Sequence, residues 1–256
     1  MKRILIILLA VLITSEISAQ INDTDRNLIK AALKGWHIRL SAGYNIGGTA
    51  PLPLPREIRG IESYNPGLNL SIEGSVEKRF YQTPWGIRCG IRLEKKGMTT
   101  NAETKNYHME AWNTDGSGQV IGSFTGKVKT SVNNTYLSIP VLATYSIGNR
   151  WKVSAGAYAS YLLDGEFTGS AYDGYIRNID PTGEYATVTR AEYDFSSDIR
   201  KFNWGIQAGG EYAAYKHLAV FANLQWSMSG IFPSDYGSVT FALYPIYGTI
   251  GFHYLF

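Results

Sequence analysis

The sequence predicts an all-β fold, an eight-stranded antiparallel transmembrane β-barrel with short periplasmic turns and long external loops. The first observation behind this is the final stretch, SVTFALYPIYGTIGFHYLF, Ser238–Phe256. Its Tyr244, Ile246, Ile250, Phe252, Tyr254 and Phe256 alternate with Thr249, Gly251 and His253, the period-two mark of a strand with two unlike faces. The second is that seven earlier stretches alternate in the same way, joined by turns that fall into a short set and a long set. The third concerns helices: after residue 19 no apolar run approaches the roughly 18 residues a membrane helix needs. A chain that spans lipid without such a helix has to close into a barrel, because only then are its backbone groups satisfied.

Residues 1–19 read as a secretory signal peptide, with Lys2 and Arg3 before an apolar core, Ile4 to Ile13, and cleavage expected between Ala19 and Gln20. The segment 20–35 is expected to hold one short helix with Thr24 or Asp25 at its N-cap. The barrel is expected over 36–256. Without Lys2, Arg3 and Glu16, the 24 basic and 21 acidic side chains fall to 22 and 20, close to neutral. With no basic block, nucleic acid is not an expected partner. Cys89 is the only cysteine, so no disulfide within the chain can form.

Strand by strand, Trp36–Ile46 sets Ile38, Leu40 and Tyr44 against His37, Arg39 and Asn45. Gly47–Pro66, containing PLPLPREIRGI, is expected as a long extended loop. Gly67–Phe80 sets Leu70, Ile72 and Val76 against Ser71, Glu73 and Glu77, and a short turn at Gln82-Thr83 leads to Trp85–Glu94, with Ile87 and Ile91 opposing Arg88 and Arg92. Met98–Ser131 is long and polar, although Val120–Thr130 offers a possible continuation of the hairpin. Val132–Ser146 and the stretch from Trp151 to Tyr161 flank the tight turn Ile147–Arg150, and Asp164–Arg200 is the longest loop. Phe202–Tyr212, Leu218–Ser227 and the closing strand complete eight.

Alternation alone does not say which face meets lipid. Trp36, Phe80, Trp85, Tyr145, Trp151, Tyr212 and Phe256 all fall at the short-turn end of their strands, the girdle expected where amphipathic rings meet a membrane interface. The polar face is rich in glycine (Gly43, Gly90, Gly156, Gly205, Gly209, Gly251), which suits a crowded lumen better than a solvent surface. The polar face therefore points inward. Pairing about Gln82-Thr83 sets Glu77 opposite Arg88 and Glu73 opposite Arg92, with Arg39 and Glu211 expected to join them, since buried charges need partners. Eight strands enclose a space about wide enough for side chains to fill, so a plugged lumen is expected, with a gated ion path as the alternative.

The ending on a terminal Phe resembles the closing strand of bacterial outer-membrane barrels, where it serves as an assembly signal. Three further segments, together with the aromatic C-terminus, resemble the PorT-like family of these barrels: YLSIPVLATYSIGNRWKVSAGAYASYLL (Tyr136–Leu163), AYDGYIR (Ala171–Arg177) and YDFSSDIRKFNWGIQAGGEY (Tyr193–Tyr212). The resemblance implies an outer-membrane location and a barrel fold. It also suggests a part in type IX protein secretion, and it carries over no functional residue. Pro140, in the YLSIP segment, removes a ladder hydrogen bond, so a bulge is expected there.

No catalytic, cofactor or metal residues emerge. His37 and His253 fall near one another if the first and last strands meet, but metal sites usually want three or four ligands, and lumen packing is the expectation. His108 and His217 lack a partner at nucleophile–base spacing. Loop residues more often carry binding, and Tyr172, Tyr175, Tyr185, Tyr193 and Phe195 are the residue types that anchor interfaces, unless they serve to fold the loops. The expectation is a non-enzymatic envelope protein acting through external loops. Its partners would be outer-membrane lipid, the barrel-assembly machinery during insertion, and an external ligand or envelope protein. The alternatives are a secretion component and a small lipid-modifying enzyme.

Overall fold

The computed structural model describes residues 35–53, 55–113, 119–177, 184–233 and 242–256, with the side chains of 109–121 outside that description. The expected signal peptide and the expected helix before Gly35 lie outside the described residues. Ten strands follow in chain order among those described: β1 Trp36–Pro51, β2 Ile58–Asn65, β3 Leu70–Arg79, β4 Trp85–Asn113, β5 Gln119–Ile147, β6 Trp151–Arg177, β7 Tyr185–Asp194, β8 Phe202–Ala213, β9 Leu218–Ser227 and β10 Leu243–Leu255. Eight of them close a ring in the order β1–β3–β4–β5–β6–β8–β9–β10. The first and last strands make the closure, with Leu40 opposite Tyr254 and Pro51 opposite Leu243. The eight-stranded antiparallel barrel is thus present. β2 and β7 are additions to it, seated on β4 and on β6 with β4.

The wall of the ring inverts the usual distribution of side chains. Ile91 is 62% exposed, and Leu70, Ile72 and Phe252 are also exposed, while Arg39 is 2% exposed and Gln225 and His253 are buried. In a water-soluble domain the large apolar groups would be inside. Here alternate residues separate a surface fit for hydrocarbon from a polar interior. On β6, Trp151 and Tyr161 bound the apolar band. Ten residues at about 3.4 Å each, tilted by about 40°, give roughly 26 Å, the height expected of such a band.

At the short-turn rim Trp85 lies opposite Tyr145, rings 4.8 Å apart, and Trp151 lies opposite Tyr212, rings 4.9 Å apart. Arg150 donates to the Tyr212 hydroxyl at 3.0 Å. Phe80 and Phe256 are exposed near this rim, and Trp36 opens β1. A second set of exposed rings, Tyr161 opposite Phe202 with Trp204 and Trp226, lies toward the other edge of the band.

Two expectations are corrected. β5 carries no bulge at Pro140. Its register with β6 runs unbroken from Leu137–Tyr161 past Pro140–Tyr158, and the missing N–H falls in a gap of the β4 ladder between Val141 and Ser138. The register of β5 with β6 shifts between Thr135 and Tyr136 and between Thr125 and Lys127, with the extra residue on β6 each time. The long segments Gly47–Pro66, Met98–Ser131 and Asp164–Arg200, expected as loops, are also largely strand. β4 and β5 each run 29 residues and β6 runs 27. β7 then returns along β6 and meets β4 at Trp112–Glu192, so β4, β5, β6 and β7 wrap into a smaller ring beyond the barrel.

Within this extension the polarity reverses. Along β5 the inward positions Ser138 and Thr144 of the barrel give way to Val132, Val128 and Phe124, which are buried. They join Phe167, Ala171, Val188 and Tyr193 in an apolar core, closed by Ile199, Ile231, Phe232 and Leu243 from neighbouring connections. Phe167 packs on Phe232 with centroids 5.0 Å apart. Each fully buried large apolar side chain contributes about 1.5–3 kcal/mol relative to exposure, which is what gives these connections order.

Gly169 is required at one close approach. Tyr193 crosses over it so that its hydroxyl meets Thr130 Oγ1 at 2.7 Å and donates to the Lys129 carbonyl at 3.2 Å. A Cβ on Gly169 would stand 2.3 Å from the Tyr193 ring and hydroxyl. Gly169→Ala is expected to displace Tyr193 and speed tryptic cleavage within the extension, while the barrel keeps its heat-modifiable gel mobility. Unchanged cleavage would show that Tyr193 does not hold the extension together.

Candidate functional site

The lumen and the outer surface of the extension are the two places where polar chemistry collects. In the lumen, β3 and β4 set Glu77 opposite Arg88 and Glu73 opposite Arg92. Arg39 from β1 grips Glu211 of β8 through two bonds of 2.7 and 3.0 Å and reaches Glu77 at 2.8 Å. Arg88 bridges Glu77 at 2.9 Å and Glu211 at 2.8 Å. Lys152 of β6 adds contacts to Glu77 at 2.5 Å and Glu211 at 3.3 Å. Three cations therefore share two carboxylates, and nearly all of these side chains are buried.

A second layer lies toward the extension. Arg92 meets Glu73 at 3.2 Å and donates to Gln207 Oε1 at 2.9 Å. Its Nε is 3.2 Å from Glu94, close enough for an ion pair but not aligned as a hydrogen bond. Lys96 pairs with Glu94 at 3.1 Å and donates to Gln225 at 2.9 Å, with the rings of Tyr136, Tyr158 and Tyr247 between 5.1 and 5.9 Å away. Ser138 completes the shell, donating to Glu94 at 2.6 Å.

The six lumen residues singled out from sequence are thus brought into two layers. Lys152, Glu94, Lys96, Gln207 and Gln225 also belong to them and were not singled out. Each sits at the inward parity of its strand, the signal that could have found it.

Two cavities beside these layers are small: about 20 Å³ beside Glu73, Arg88, Arg92 and His253, and about 10 Å³ beside Lys96 and Tyr136. Each is room for a water molecule at most. Planar-bilayer recordings are expected to show no sustained conductance, and large steady steps would contradict a filled lumen.

His253 is buried against Phe221, centroids 6.0 Å apart, and its strand neighbour is Ser41. His37 is exposed and does not meet it. Among the described residues no group of three or more His, Cys, Asp or Glu could hold a metal. His217 sits in the β8–β9 turn with Nδ1 2.9 Å from the Leu255 carbonyl, and His108 is exposed on β4.

The loop aromatics divide into two sets. Tyr193 and Phe195 do not form an external surface: Tyr193 is buried, and Phe195 stacks on it with centroids 5.2 Å apart. The apolar core of the extension draws them in, and burial pushes the Tyr193 phenol well up from its ordinary pKa. Tyr185 is 66% exposed and meets Tyr175 edge to face at 5.6 Å, with the Arg177 guanidinium 5.1 Å from the Tyr175 ring. Tyr172 is half-buried.

A groove of about 610 Å³ on the outer side of the extension was not foreseen. Its residues form cross-strand rows: Thr99, Ser131, Thr168 and Asp194 in one, Lys129, Ser170 and Glu192 in the next. Arg190 lines it as well, 3.1 Å from Glu192. Hydrogen bonds from the Ser196 hydroxyl and N–H, at 2.5 and 2.9 Å, hold the Asp194 carboxyl below its ordinary pKa.

A family model described as outer membrane protein beta-barrel domain matches residues 18–233. Among solved structures the chain is similar to Ail, the attachment invasion locus protein of Yersinia pestis, at TM-score 0.36 and 10% identity, covering 86% of this chain and 97% of that one. It is similar to neisserial surface protein A at TM-score 0.31 and 10% identity, covering 87% and 97%. The Escherichia coli outer membrane protease OmpT is a third, at TM-score 0.32 and 13% identity, covering 86% and 96%. No curated protein matches the sequence.

Proposed function

We propose, for a chain that belongs to the outer membrane protein beta-barrel domain family and resides in the outer membrane, a non-enzymatic role exerted through its external extension. It would bind an external ligand or an envelope partner, with the barrel as anchor. The observation that carries this is the division of the molecule. The lumen is lined by buried, paired charges, while β4, β5 and β6 continue past the apolar band into an extension with its own core. Ordering so much chain beyond the lipid costs conformational entropy that an anchor alone would not require. Outer-membrane lipid and, during insertion, the barrel-assembly machinery complete the proposed partners.

The test is a barrel in which the β4–β5 and β6–β7 extensions are replaced by short turns. It is expected to insert to the parental level yet fail to restore whatever adhesion or envelope phenotype deletion of the gene produces. Full restoration by the shortened barrel would overturn the proposal. Lipid hydrolysis, acyl transfer or proteolysis by the purified protein would instead favour an enzyme.

The PorT-like segments Tyr136–Leu163 and Tyr193–Tyr212 favour a second role in type IX-like secretion. Unchanged cargo release in the deletion strain would remove it.

A further inference from the structure

We infer that the groove formed by Thr99, Lys129, Ser131, Thr168, Ser170 and the Arg190–Glu192 pair binds a saccharide bearing a carboxylate. The inference rests on the role of the extension proposed above and gives it a ligand class. The volume, about 610 Å³, lies within the range of small-ligand sites.

The lining has the chemistry of sugar recognition. Hydroxyls stand in register across three strands: Thr99 and Ser131 lie 3.3 Å apart, and Thr168 faces Ser131 from β6. Each hydroxyl both donates and accepts, which suits a ligand whose own groups are hydroxyls. Ser170 is 6% exposed and lies in the next row, opposite Lys129 and Glu192. Two of the charged groups at the edge are already engaged: Arg190 by Glu192, and Asp194 by Ser196. Lys129 is different, because its exposed ammonium makes no ion pair among the described residues. A carboxylate on a ring of hydroxyls would meet it with a charge-assisted bond, while the neighbouring rows take the hydroxyls.

The acidic sugar could belong to a glycolipid of the same membrane or to a free polysaccharide. Both present the same groups to the groove. The experiment uses the mature protein in phosphatidylcholine nanodiscs, with tetragalacturonate and maltotetraose as probes followed by saturation-transfer NMR. Tetragalacturonate is expected to bind at least tenfold more tightly than maltotetraose. Lys129→Gln is expected to remove that preference, and Ser170→Leu to abolish binding of both sugars. Heat-modifiable mobility on gels checks that each variant is folded.

A second set of discs contains lipopolysaccharide. Loss of the tetragalacturonate response there assigns the groove to the membrane glycolipid, whereas an unchanged response assigns it to a free saccharide. Absence of binding in the bare discs, or equal binding by parent and Lys129→Gln, would overturn the inference. The shortened-barrel experiment would still decide the role of the extension independently.

Discussion

Glu77→Gln is expected to lower the unfolding free energy of the barrel by about 3–5 kcal/mol, the cost of breaking a buried ion pair from one side. Glu77 and Glu211 together offset two of the three positive charges on Arg39, Arg88 and Lys152, and Glu77 itself contacts all three cations. Removing its charge leaves three cations around one carboxylate, with the Arg39 and Arg88 guanidinium groups buried. A shift of the urea midpoint in detergent micelles, at unchanged slope, would report the loss. The double variant Glu77→Gln, Arg88→Met is expected to recover part of it, because it removes an orphaned charge as well. A loss below 1 kcal/mol in the single variant would mean that the lumen is wet and the network is screened.

Ile91→Arg and Ile61→Arg are expected to differ widely although the parent side chains are almost equally exposed, at 62% and 61%. Ile91 lies about midway up the apolar band on the outer face of β4. An arginine at such a position costs about 2–4 kcal/mol and slows insertion. Ile61 lies on β2 beyond the band, in water, where a surface substitution typically shifts stability by no more than about 0.5 kcal/mol. Reversible folding into liposomes measures both. Equal effects would mean that the band is misplaced along the strands.

The in-and-out order of the barrel strands was legible because lipid and lumen are two sharply different environments that alternate with a period of two residues. Glu77 with Arg88 and Glu73 with Arg92 followed from a single turn, since a hairpin register is set locally. Lys152 and Glu94 carried the same parity signal. Which charges meet across the lumen depends, however, on the stagger of strands far apart in sequence, and no spacing encodes that. β2 and β7 were missed because past the membrane the environment changes. Val128 and Val132 occupy the inward positions that Ser138 and Thr144 hold lower down, so a pattern tuned to the barrel sees only a polar loop. The groove was invisible for the same reason: its rows join four strands, one of which sequence periodicity did not disclose.

The hydrogen-bonded ladder between β4 and β5 runs from Trp85–Tyr145 to Trp112–Gln119, with one register shift between Thr104 and Tyr107. Such a mast has no joint at its base. From the outer edge of the lipid to Gln119 is about 17 residues, which at the usual rise and tilt stands roughly 45 Å tall. Whatever the tip touches is met at a height fixed by the bilayer, and a pull on the tip is delivered straight into the wall of the anchor below.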